Sequence, residues 1–527
     1  MNNSENPVGA QPKRRRWRAA MAVGMAASVG LAACGSSAAK SASVSPSVSV
    51  SNSGSTANKP TGTIRIGLSG AMDRLAPLPF GISDFEVWND LYSTPVTISS
   101  GQPQPALVQS WKMASDGSSL TLHLRPGLTF SDGTPLDTST LVWNINWEEQ
   151  PANASHSALL WKSVTPTAVS STTLKLAFAH PLPAIYGMLA GMPIVKPNAP
   201  TSGVSSGPFM VSKFVPGTSL TVVTNPHYWG TPAHAQSIIF TNYADGATAA
   251  LALRSGTINL LMGPPATQLA SLKAAGDKMM TGLLTSDGYT PDLLLSLLVN
   301  TSNPSLSDPR VRQALSLAFN RSQFVSTALS GQGVPQDSVF YPQSKAYVAP
   351  SGPSFDLTKA KSLLQQAGVS HLTLTVDTVS ILPQSTFMPV YQQDLAKIGV
   401  TLKINQIDPA EWATEATNGT YADLLTQGNE FSDTDPAINF GNLDMTGQSQ
   451  HFSSPQYTQM LQAAAQETNQ AKRLADYKAI GQYLQKQMFI IPLVSGSTSL
   501  EAAYSPKVSD VHPAVFSSID FAALRIG

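Results

Sequence analysis

At Thr61 the composition of this 527-residue chain changes abruptly, and the change divides what can fold from what cannot. Before it, "GSSAAKSASVSPSVSVSNSGSTANK", residues 35–59, is dominated by Ser and Ala, with two charges and no large apolar side chain. Such a stretch cannot bury enough surface to offset its ordering entropy, so it reads as a flexible coil spanning roughly 30 Å. After it come roughly 465 residues rich in short apolar patterns, well past the ~250 to 300 at which a single core stops growing. At least two lobes are expected. Cys34 is the only cysteine, so no intramolecular disulfide can form and stability must rest on the size of the core.

The position of that cysteine has its own logic. "PKRRRWR" places Lys13, Arg14, Arg15, Arg16 and Arg18 before the small-apolar run "AAMAVGMAASVGLAA". A basic segment followed by about 15 apolar residues reads as an export signal, too short for the ~20 residues of a spanning helix. Leu31, Ala32 and Ala33 precede Cys34, and Gly35 follows it. This resembles the lipobox of bacterial lipoproteins; the other reading of Cys34 is a buried free thiol. The resemblance implies that Cys34 carries a diacylglyceryl group and becomes the first mature residue, leaving 1–33 as signal peptide and 34–61 as lipidated tether. "RRRW" partly resembles a twin-arginine export signal. Two acyl chains anchor stably, so the expected location is the outer face of the cytoplasmic membrane, and no later segment is apolar enough to span it.

The folded part has readable elements. In "SLTLHLRPGLTF", Leu120, Leu122 and Leu124 share one strand face and His123 takes the surface face, with Asp116-Gly117 and Asp132-Gly133 as turns. In "DPRVRQALSLAFNR", Asp308 caps a helix, Pro309 suits its first position, and Val311, Ala314, Leu315, Ala318 and Phe319 form an apolar stripe. "DLTKAKSLLQQAG" repeats the grammar, from the Asp356 cap to Gly368. Strand-like "LTLTV", helical "YQQDLAKIG" and strand-like "VTLKINQI" then alternate, which indicates an α/β lobe. One C-terminal helical stretch, residues 454–488, leads into strand-like "FIIPLV".

Several functions are disfavoured. The chain carries 32 basic and 32 acidic side chains, 12% charged in all, so no electrostatic footprint for nucleic acid exists. There is no G-x-S-x-G elbow, no free thiol beyond Cys34, no H-E-x-x-H helix, no phosphate loop and no dinucleotide fingerprint. The eight histidines are scattered singly. A non-enzyme without metal or cofactor is expected, meeting small molecules or proteins through specific patches.

Residues 101–147, "GQPQPALVQSWKMASDGSSLTLHLRPGLTFSDGTPLDTSTLVWNINW", bring in a second resemblance. Pro105, Leu107, Ser110, Trp111, Asp116, Gly117, Leu124, Arg125, Gly127, Phe130, Asp132, Gly133 and Pro135 match the pattern of family 5 extracellular solute-binding proteins, the oligopeptide, dipeptide and nickel receptors of ABC importers. Val108 departs from the usual Ala. Gly207, Pro208, Asn225, Pro226, Tyr228 and Trp229 resemble a second family segment; Asn300, Asp308, Arg310, Val311, Arg312, Ala314 and Leu315 resemble a third. Trp111, Phe130 and Trp229 are expected as core or turn anchors, and Arg310 and Arg312 as surface or interlobe residues.

The resemblance implies an α/β, two-lobed periplasmic-binding-protein-like fold of the class II, cluster C type, with a ligand cleft between lobes. Lobe I would be residues 62–290 with a return at 495–527, and lobe II residues 291–494. It implies a monomeric receptor that closes on a solute, with peptide the leading class, and delivers it to a membrane permease. In peptide-binding members a lobe II Asp pairs with the peptide's α-ammonium. Here "QGNEFSDTDPAINF" keeps Gly428, Asp435 and Pro436, but Asn429 replaces a Trp and Ser432 stands where that Asp is expected, with Asp433 one residue on. Candidate ligand contacts are therefore Asn429, Phe431, Asp433 and Asp435, with Trp88, Tyr92 and Trp412 as cleft aromatics that read equally as core. A sugar or nickel-chelate receptor, and a sensory or structural lipoprotein, are the other readings.

Overall fold

The computed structural model describes most of residues 59–527; residues 1–58, several isolated positions and short segments including 69–71, 79–84, 281–291, 380–383, 432–435, 496–501 and 513–518 lie outside the description. Two mixed sheets organise the chain. The first has seven strands in the order Lys278–Met280, Ala502–Tyr504, Leu260–Met262, Thr63–Leu68, Ser237–Asn242, Ser219–Thr224 and Phe209–Val215. Thr63–Leu68 pairs parallel with both of its neighbours. The second has six strands in the order Val334–Pro335, Ile490–Ser495, Asp292–Val299, Leu424–Phe431, Leu372–Thr378 and Val400–Gln406. Ala502–Tyr504, late in the chain, rejoins the first sheet by pairing antiparallel with Leu260–Met262 and Lys278–Met280.

A separate four-stranded antiparallel sheet carries Ser119–Leu124 beside Val108–Met113 and Thr173–Phe178. Leu120, Leu122 and Leu124 are buried and His123 is half-buried, so the two-residue period set the face as expected. The helix Thr138–Glu148 packs beside this sheet, started by an Asp137 capping box with Thr140. Its buried Asn144 donates to the Val195 carbonyl and accepts from the Val195 N–H, fixing the following segment to it. Phe130 is buried, and Trp111 and Trp229 are half-buried against the same apolar cluster.

The capped helices form as read. Asp308 accepts from the Arg310 N–H at 2.8 Å and Pro309 opens the helix Pro309–Ala318, whose Val311, Ala314, Leu315 and Ala318 are buried. Asp356 accepts from the Lys359 N–H at 2.8 Å, and Gly368, at φ +73°, ends that helix in a left-handed turn. Two expectations are corrected. Arg310 is a surface residue paired with Asp308, but Arg312 is buried, donating to the carbonyls of Gln487, Leu306 and Ser307 at 2.7–2.8 Å. The Gln470–Gln487 helix lies against its flank, so Arg312 meets backbone carbonyls rather than water. The C-terminal stretch is also two helices, Pro455–Gln466 and Gln470–Gln487, because the Asn469 side chain accepts from the Lys472 N–H and starts the second.

Candidate functional site

Three strands of the second sheet run parallel: Leu372–Thr378 pairs with Val400–Gln406 in register from Leu372↔Val400 to Thr378↔Gln406, and with Leu424–Phe431 on its other side. In open α/β sheets the carboxyl ends of such strands are where ligands bind. Here that edge gathers polar groups. Asp377 is buried and accepts from the Asn405 side chain at 2.7 Å, and the Thr378 and Thr426 hydroxyls lie 3.1 Å apart.

Past Gln406 the chain turns, with the Ile407 N–H donating to the Thr378 carbonyl, and Asp408 caps the helix Pro409–Asn418 through the Ala410 and Glu411 N–H groups. The cap sets the helix over Leu424–Phe431. Half-buried Trp412 donates its indole N–H to the Thr426 carbonyl at 2.7 Å. The helix stops at Gly419, at φ +68°, where a Cβ would sit 2.5 Å from the Ser449 carbonyl oxygen. One turn from Trp412, Glu415 is half-buried with its Oε2 lacking a partner. Burial, then the nearby charges of Asp377 and Glu411, push its carboxyl up to about 7. A cation placed among these three carboxylates would relieve both effects.

The expected site residues fall into three groups. Trp412 stands at this edge. Trp88 and Tyr92 belong to the core of the first lobe, 4% and 2% exposed, and the Tyr92 hydroxyl donates to the Leu75 carbonyl, so neither presents a free aromatic face. Asn429 and Phe431 end the strand Leu424–Phe431, their backbones paired with Leu294 and Asp292, while their side chains lie outside the described residues. Asp433, Asp435 and Cys34 also lie outside the described residues. Sequence reading missed Asp377 and Glu415. The like-charged i,i+4 pair Glu411 and Glu415 was an available signal, since such pairs destabilise a helix without a reason to keep them. Among the described residues no group of three His, Cys, Asp or Glu side chains is arranged to hold a metal ion.

A family model described as bacterial extracellular solute-binding proteins, family 5 middle, matches residues 102–451. The chain is 28% identical over 327 residues to the glutathione-binding protein GsiB of Escherichia coli O1:K1 / APEC, a match covering 59% of this chain and 62% of that protein. It is 25% identical over 378 residues to the probable di/tripeptide-binding protein 5 of Pseudomonas aeruginosa, covering 64% and 70%. The fold is that of the periplasmic binding protein DppA of Helicobacter pylori, solved with the peptide STSA, at a TM-score of 0.79, 19% identity, and coverage of 89% of this chain and 99% of that one.

Proposed function

The chain belongs to the bacterial extracellular solute-binding proteins of family 5, and we propose that it is the receptor of an ABC importer that captures short peptides between its two lobes. The observation that carries the choice of peptide is Glu415, a half-buried carboxyl with an unpartnered oxygen, raised by burial and then by the charges of Asp377 and Glu411, on the same helix as Trp412. A half-buried carboxyl flanked by a buried and an exposed carboxylate favours a cationic ligand, and the α-ammonium of a peptide supplies one with an apolar body for Trp412. Asp433, two residues beyond the strand Leu424–Phe431 in sequence, is proposed as a further carboxylate. A micromolar ligand brings about 8 kcal/mol, ample to shift a hinged pair of lobes toward a closed form that a membrane permease engages. Names of relatives also support peptides: one is a probable di/tripeptide-binding protein.

Native mass spectrometry of residues 58–527, a compact unit by themselves, tests the reading: gentle purification followed by denaturation should release a ladder of short peptides. A released sugar or metal chelate overturns it. The charge argument has its own test. A bound ammonium favours ionised Glu415, whose carboxyl starts near 7, so affinity for free-N-terminus peptides should tighten from about pH 6 to 7.5 and weaken again above about 8, where the peptide's own α-ammonium loses its proton. Glu415→Gln should flatten the acid side of that profile, and Asp433→Asn should weaken binding ~10-fold or more. A pH profile unchanged by Glu415→Gln removes Glu415 from the site.

A further inference from the structure

An open pocket of about 480 Å³ lies where the Arg125–Thr129 turn faces the segment Pro226–Trp229. Its volume lies within the range of small-molecule pockets. Its lining comes from residues 109, 125–129 and 226–229 alone.

Its chemistry centres on Arg125. The guanidinium carbon lies 4.7 Å from the centroid of the Trp229 ring, and Nε donates to the Ala106 carbonyl at 2.7 Å. Stack and hydrogen bond together fix the plane of the group. No described carboxylate forms an ion pair with it, and the lining contains no Asp or Glu among the described residues. Trp229 is itself anchored: its indole N–H reaches the Oγ of buried Ser93 at 3.2 Å, and that hydroxyl donates to the Ser206 carbonyl at 2.8 Å. Tyr228 tilts against Trp229 at 5.4 Å between ring centroids and folds over Gly230, where a Cβ would lie 2.8 Å from its ring. Burial first, then Asp90 and Asp520, push the Tyr228 hydroxyl up to about 12, so it stays neutral and does not compensate Arg125. The result is a rigid cation with its terminal N–H groups unspent, in an open pocket with exposed Gln109 and His227 as further donors and exposed Pro126 and Pro226 as apolar surface at its rim.

We propose that Arg125 is the centre of a second ligand site, which takes a small solute bearing a carboxylate and an apolar body. A planar guanidinium with an open edge matches a carboxylate through two parallel hydrogen bonds. The proposal is independent of the peptide reading, which rests on the carboxyl edge of the other sheet.

The probe is N-acetylphenylalanine, which has the carboxylate but no ammonium, with its neutral primary amide as control, titrated calorimetrically into the full chain. The acid should bind one-to-one, the amide at least ~10-fold more weakly, and prior loading with any peptide recovered from the interlobe cleft should leave the acid's affinity unchanged. Arg125→Gln should weaken the acid ~10-fold or more while peptide affinity stays the same. Should that variant fail to fold through loss of the Ala106 contact, Gln109→Glu, an exposed change that sets a repelling charge at the rim, decides: weaker binding of the acid supports the site. Equal affinity for acid and amide, no binding of the acid up to about 10 mM, or displacement of the acid by cleft peptide overturns it, as does unchanged affinity in Gln109→Glu.

Discussion

Glu148 is 2% exposed at the end of the helix Thr138–Glu148. Its Oε2 accepts from the Ser155 hydroxyl and the Trp161 indole N–H, both at 2.9 Å, while Oε1 has no donor. Burial outweighs both hydrogen bonds and pushes the carboxyl up to about 7. The folded state therefore holds this proton more tightly than the unfolded chain. The stabilisation is fully present below about pH 4.5, drains away as pH rises through about 7, and amounts to roughly 3 kcal/mol. Urea denaturation of Glu148→Gln across that window should show a shallower fall in stability than the native chain, by about that amount; parallel profiles would mean that Glu148 titrates normally. None of this was legible beforehand. A glutamate near a helix end reads as solvated, and only the return of Trp161 over the helix removes the water.

Helices were the most legible elements, because their boundaries are written in local chemistry. Asp308, Asp356 and Gly368 act where their neighbours place them, since a cap needs only an N–H two or three residues away. The break at Asn469 obeyed the same rule and was overlooked inside a continuous apolar pattern. Asn469→Ala should cost about 1 kcal/mol, read as a lower urea midpoint with unchanged m-value; no shift would show that the Glu467 contacts to Asn469 and Lys472 hold the junction alone. Strand faces were legible wherever one side meets a core, as in Ser119–Leu124. Arg312 was not, since a charge beside an apolar stripe takes its burial from a helix whose carbonyl lies 175 residues further along the chain.

At the scale of the whole molecule, three large apolar clusters replace the disulfides this chain cannot form. One draws on both the four-stranded sheet, through Leu120, Leu122 and Leu176, and the second sheet and its helices, through Leu298, Leu425 and Tyr477. Among the described residues no helix is long and apolar enough to cross a membrane. We propose, from the lipobox resemblance alone, that Cys34 carries a membrane anchor, and Cys34→Ala should then move the protein from the membrane fraction to the soluble fraction on cell fractionation. Retention of an acylated, membrane-bound variant would exclude the lipobox reading.

By itself the sequence determined the family, the α/β lobes, the caps and the strand faces, because these depend on period, turn chemistry and motifs at fixed offsets. The candidate site depended on tertiary structure. Trp88 and Tyr92 carry the same aromatic signal as Trp412, yet two are fully buried in a core, while the third packs half-buried against another apolar cluster with its indole N–H on the Thr426 carbonyl. Asp377 and Glu415 are ordinary carboxylates in sequence; their mutual repulsion exists only because a parallel strand and a helix, joined through a second strand, bring them to one poorly solvated edge. Burial and proximity are properties of packing, and packing is where a pattern of residue types becomes a site.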